Sequence, residues 1–99
     1  MKLYIAVQAD LPPGAKLAQT AHAVAEIHVR APAACAAWRA AGNVVVVLDV
    51  CPERLAQLAA EPGAAEFREP ARGDARTAVA LFPTTPTARK ILRTAPLAG

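Results

Sequence analysis

The stretch that most constrains the fold is Asn43–Val50, NVVVVLDV. It is β-branched, apolar and unbroken, and it stops after eight residues, far short of the ~20 needed to cross a membrane. Such a run predicts a strand. Because apolar and polar residues do not alternate in it, it predicts a central strand covered on both faces. A sheet of that kind needs helices on either side, and the rest of the chain supplies them. Leu3–Gln8 (LYIAVQ) reads as another buried strand, ended by the loop Asp10-Leu11-Pro12-Pro13-Gly14. A helix is expected from about Gly14 to Val29, with Leu17, Ala21, Val24 and His28 as its apolar stripe. Pro32 ends it or opens the next helix, Ala33–Ala41, which carries Cys35 and Trp38 and is capped by Gly42.

Beyond the valine run, Pro52–Ala60 reads as a short helix with Leu55, Leu58 and Ala59 facing inward, stopped by Pro62-Gly63. Ala65–Glu69 is a short third strand, Pro70–Asp74 a polar loop and Arg76–Phe82 a fourth strand. Thr85 is placed to cap a last helix, Pro86–Thr94. The order β-α-α-β-α-β-β-α predicts a three-layer α/β/α fold. Its four-stranded sheet is mixed, since the short link between the third and fourth strands sets one of them antiparallel. Residues 1–99 make one domain, because two cores do not fit in so short a chain.

Hydrophobic residues make up 55% of the chain, yet only four are aromatic and many are alanine. So thin a core is commonly extended by association, and a homodimer is expected. The formal charge of +3 is compatible with an anionic partner. Cys35 and Cys51 lack metal-ligand spacing, and no apolar leader precedes the first strand, so reduced thiols and a cytoplasmic location are expected. No membrane, metal or cofactor is implied. There is no phosphate-binding glycine loop and no nucleophile elbow.

The first helix carries the chemistry. Lys16, Gln19, His22 and Glu26 fall within a sector of about 120° at 100° per residue. That sector is set apart from the Leu17/Val24 stripe and begins where the first strand ends, at the edge where open α/β sheets bind ligands. His28, on the apolar stripe, reads as a packing residue. His22 and His28 are six apart, on different faces, and no third ligand completes a metal site.

The opening KLYIAVQADLPPGAKLAQTAHAV resembles the start of type II (archaeal/eukaryotic-type) peptidyl-tRNA hydrolases, as a diverged and shortened member. In that family an apolar strand leads to an Asp-Leu turn, a Gly-Lys pair and an Ala-Gln-x-x-His-Ala helix. Asp10-Leu11, Gly14, Lys16, Ala18-Gln19 and His22-Ala23 follow that series. Trp38 before a glycine and the valine run, Phe67-Arg68-Glu69, and Thr77–Pro83 (TAVALFP) extend the resemblance along nearly the whole chain. The chain also departs from the pattern. The family's lysine stands four residues before its glutamine, where this chain has Ala15, and Lys16 stands three before Gln19. Glu69 stands at the family's aspartate, and the loop after it is reduced to Gly73-Asp74-Ala75-Arg76-Thr77.

The resemblance implies a carboxylic ester hydrolase that releases peptide from peptidyl-tRNA. Lys16 is then the cation for the oxyanion or terminal phosphate. Gln19 positions water or carbonyl, His22 supports Gln19 through a hydrogen bond, and Glu69 or Asp74 is the base. Asp10, Gly14, Arg68, Arg76, Thr77, Arg89, Lys90 and Arg93 are the implied substrate and RNA contacts, the cations meeting tRNA phosphates. The alternative on the same fold is a non-catalytic RNA- or anion-binding module.

Overall fold

A computed structural model describes residues 1–99. The elements are β1 (Lys2–Gln8), α1 (Pro13–Arg30), α2 (Pro32–Ala40), β2 (Val44–Val50), α3 (Pro52–Ala59), β3 (Ala65–Glu69), a 3₁₀ turn (Pro70–Arg72), β4 (Ala75–Leu81) and α4 (Pro86–Thr94). Each α-helix has a proline in its first turn, where a missing N–H costs nothing and the fixed φ suits the helix. The Thr85 hydroxyl accepts from Ala88 N–H as the α4 cap. Pro70–Arg72, expected as loop, forms a single 3₁₀ turn closed by Gly73 in the left-handed region, with Asp74 following at φ +58°.

The sheet order is β2-β1-β4-β3. β1 and β2 are parallel, and β4 is antiparallel to both β1 and β3. Strands β1, β2 and β3 therefore end at one edge of the sheet, where β4 begins. Helices α1 and α2 cover one face: Ala23, Ile27, Cys35 and Trp38 pack on Leu3, Ile5, Val7, Ala78 and Ala80. Helices α3 and α4 cover the other, with Leu55, Leu58, Ile91 and Leu92 against Leu48, Val50, Val79 and Leu81. The three-layer mixed sheet expected from the element order is the observed fold.

Two expectations are corrected. β2 is not central: it is an edge strand whose first residues, Val44 and Val45, are exposed, and the central strands are β1 and β4. Its outer edge is paired instead by a short segment after α4, through a Leu48–Leu97 bridge. An unbroken apolar run thus marks a strand whose edge is covered by residues distant in sequence. On α1 the buried stripe is Lys16, Gln19, Ala23 and Ile27, while Leu17 is 74% exposed. The helix is rotated about one residue from its apolar count, because its first two turns bury polar side chains that find partners on the sheet.

β4 also carries an irregularity that matters for the site. Phe67 pairs with Ala78 and Arg68 with Arg76, so Thr77 is an extra residue with no partner on β3. A bulge of this kind shifts the alternation of side chains. Downstream, Ala78 and Ala80 face α1 and Val79 faces α3. Thr77, which strict alternation would place with Val79, turns to the α1 side and meets Gln19.

Candidate functional site

The site lies under the first two turns of α1, along the edge where β1, β2 and β3 end. Lys16 and Gln19 are 8% and 5% exposed, one helical turn apart, and they reach to opposite sides of β1. Lys16 leans toward β2. Its amine lies 2.9 Å from Asp49 Oδ1 and donates to the backbone oxygen of Gly99 at 3.2 Å. The Asp49 contact is a charge pair off the hydrogen-bonding direction, so buried Oδ1 has no hydrogen-bond donor. Removing two opposite charges from water is costly unless they neutralise each other, which fixes Lys16 on Asp49.

Gln19 leans the other way, toward β4 and β3. The buried Thr77 hydroxyl donates to Gln19 Oε1 at 2.8 Å, and Gln19 Nε2 donates to Glu69 Oε2 at 3.2 Å. The amide is thus held at both ends, with its oxygen and nitrogen assigned by a donor and a carboxylate. Glu69 Oε1 in turn accepts from Ala71 N–H, 3.4 Å away, at the start of the 3₁₀ turn. Glu69 is half-buried at the end of β3, where its carboxylate borders both solvent and the amide.

Among the residues expected in the site, the structure gathers Lys16, Gln19, Glu69 and Thr77. His22 is exposed and makes no hydrogen bond to Gln19. Its ring lies flat on Phe67 instead, centroids 4.3 Å apart and planes 10° from parallel, because position 22 lies a turn beyond Gln19 over β3. Asp74 does not reach Lys16 or Gln19. Its left-handed backbone carries it past the end of β3, and it joins the network only through its main chain, its N–H to Glu69 O and its carbonyl to Arg68. Glu26 is exposed further along α1. Asp10 is exposed and accepts from Gln8 Nε2 at 2.7 Å, and Gly14 sits in the open first turn of α1. His28 is half-buried, its Nδ1 2.8 Å from Val24 O and its ring edge-on to Trp38.

The cations expected to meet RNA divide into two groups. Arg68 and Arg76 flank Glu66 at 3.0 and 2.5 Å on the α3 side of β3. The hydrogen bond from Arg76, then that from Arg68 and the charges of both, holds the Glu66 carboxyl below its usual range against the opposing effect of burial. Arg89, Lys90 and Arg93 are exposed on α4, across the sheet from α1. Cys35 is buried and Cys51 exposed, both free thiols; burial pushes the Cys35 thiol up, against the charge of Arg39. No group of three His, Cys, Asp or Glu side chains converges to hold a metal ion, and no helix is long and apolar enough to cross a membrane.

Asp49 is the residue the sequence reading missed. Its one visible signal was a lone acid next to the end of an otherwise apolar strand, at the same edge of the sheet as Glu69. Beside Lys16 lies a hollow of about 350 Å³ walled by Pro13, Leu17, Thr20, Val47 and Ala98. Gln19 does not line it. The largest hollow, about 540 Å³, is elsewhere, between the ends of α1 and α3 over β3. In comparisons with known proteins, the chain matches no family model and no curated protein sequence.

Proposed function

We propose that the protein hydrolyses an aminoacyl ester of tRNA, releasing peptide from peptidyl-tRNA. The observation that carries this reading is the held amide: Gln19 fixed between Thr77 and Glu69, one turn from a buried lysine, at the ligand-binding edge of the sheet. Ester hydrolysis needs a base for water, a group that orients the water and a cation for the oxyanion. In the proposed reaction, water near Glu69 and Gln19 Nε2 adds to the ester carbonyl carbon and gives its proton to Glu69. Lys16, oriented by its contact with Asp49, stabilises the oxyanion. When the tetrahedral intermediate collapses, the C–O bond to the ribose breaks and the 3′ oxygen takes the proton back from Glu69. The products are a peptide acid and a free 3′ hydroxyl. Arg89, Lys90 and Arg93 supply the α4 contacts to phosphate, and a second copy of the chain extends the thin core.

A second reading is favoured by a specific observation. Lys16 already faces Asp49, and Lys16 and Gln19 line no common hollow, which suits a non-catalytic RNA- or anion-binding module. Incubation with a model peptidyl-tRNA, and with free aminoacyl-tRNA as control, decides between them. The hydrolase reading expects cleavage that falls at least ~100-fold in Lys16→Ala, the loss of one oxyanion donor being worth about that much, and that falls in Gln19→Ala as well. Salt-sensitive tRNA binding by folded protein without turnover establishes the module instead.

A further inference from the structure

The outer edge of β2 is filled by the chain itself. Pro96–Gly99 runs beside it as a short extended segment: Asp49 N–H donates to Pro96 O and Ala98 N–H to Val47 O, both at 2.9 Å. Leu48 and Leu97 are the bridged pair. One residue further on, Gly99 O accepts from the Lys16 amine at 3.2 Å. Ala98 packs against the core cluster under α1 and forms a wall of the hollow beside Lys16, whereas Leu97 is 74% exposed.

We propose that this strip is a binding site for an extended peptide, occupied here by Pro96–Gly99, and that the protein takes a peptide in trans when that segment lifts. The bonds to the β2 edge are made by main chain alone, so any extended peptide can repeat them, as in strand addition generally. Side-chain selection then falls at one position. The residue in place of Ala98 must be apolar to lie beside Val47 at the hollow, while the residue in place of Leu97 faces solvent and is unrestricted. A carbonyl oxygen of the peptide takes the Lys16 amine. The resident segment is weakly held, by two main-chain bonds, one bond to Lys16 and a leucine that stays in water, so it belongs to the part of the fold that opens first. The inference shares Lys16 with the proposed hydrolysis but needs no turnover, so the two fail separately.

The test uses the full chain carrying Ala98→Pro, which removes the N–H that holds the segment to Val47. The probe is a fluorescein-labelled Ala-Pro-Leu-Ala-Gly peptide, read by anisotropy. A tethered occupant that fills the site about nine-tenths of the time weakens binding about tenfold, so Ala98→Pro is expected to bind up to about tenfold more tightly than the parent. A probe with aspartate in place of its second alanine is expected to lose that binding. Equal affinity in parent and variant, or no binding by a variant whose circular dichroism matches the parent, overturns the proposal. Hydrogen exchange on the unsubstituted protein gives a measurement free of folding effects. The Asp49 amide is expected to exchange much faster than the β1 amides and to slow with peptide. Protection equal to that of β1, or no slowing, overturns the proposal as well.

Discussion

Replacing Thr77 by valine keeps the shape and β-branching of the side chain and removes only the hydroxyl. Thr77 is fully buried, and its hydroxyl is the donor to Gln19 Oε1 at 2.8 Å. In the variant that oxygen, on a side chain only 5% exposed, is left facing a methyl group. A buried acceptor stripped of its partner costs about 1–3 kcal/mol. For a domain of this size that corresponds to a fall in Tm of about 4–8 °C per kcal/mol. Urea denaturation followed by Trp38 fluorescence gives the free energy directly. The partner substitution Gln19→Leu removes the orphaned acceptor, so the double variant is expected to lose less than the sum of the two single changes, with a coupling of about 0.5–3 kcal/mol. A Thr77→Val protein within about 0.3 kcal/mol of the parent, with strictly additive effects in the cycle, refutes the bulge-directed bond to Gln19 and with it the geometry on which the proposed hydrolysis stands.

Lys16→Met leaves Asp49 without its charge partner and is expected to cost about 3 kcal/mol, the low end for a buried pair since Asp49 keeps some solvent contact; adding Asp49→Leu recovers most of the loss in the same denaturation assay. Ile27→Ala, at a position with no exposed surface, is expected to cost about 2–5 kcal/mol, while Leu17→Ser, on the exposed flank of the same helix, stays within about 0.5 kcal/mol, and a reversed order contradicts the inward stripe. Glu66 has a depressed carboxyl pKa when folded, so its contribution is present above the ordinary value of 4.5 and is lost as pH falls below that value through the folded one. Unfolding midpoints of the parent and Glu66→Gln are therefore expected to converge on acidification below about pH 4.5, the difference at neutral pH being under about 1 kcal/mol for a pair this exposed.

Much of the fold was legible in the chain because period and punctuation agree. Ala65–Glu69 and Pro86–Thr94 fall where expected, and the other elements differ by a residue or so at their ends. What escaped depends on contacts between distant residues. A valine run has the same sequence whether its edge is covered by a neighbouring strand or by Pro96–Gly99, so β2 looked central. The face of α1 was misjudged because counting apolar residues selects Leu17, while burial selects Lys16 and Gln19, whose polar atoms find Asp49, Thr77 and Glu69 on the sheet. Glu69 and Asp74 could not be separated in sequence; backbone conformation separates them, since only Glu69 remains on the strand facing α1. His22 kept its helical position but met a phenylalanine ring rather than the amide.

The supernumerary residue on β4 makes the buried threonine under Gln19 separable from the rest of the architecture. Loss of a single codon between Ala75 and Ala78 would restore an ordinary ladder opposite Phe67 and Arg68, since the strands on either side already match in register. The hydrophobic layers could persist while the hydroxyl beneath Gln19 disappeared. A lineage could therefore release the held amide by shortening one strand, with no change to any residue that contacts it except the one deleted, and keep the scaffold for another use.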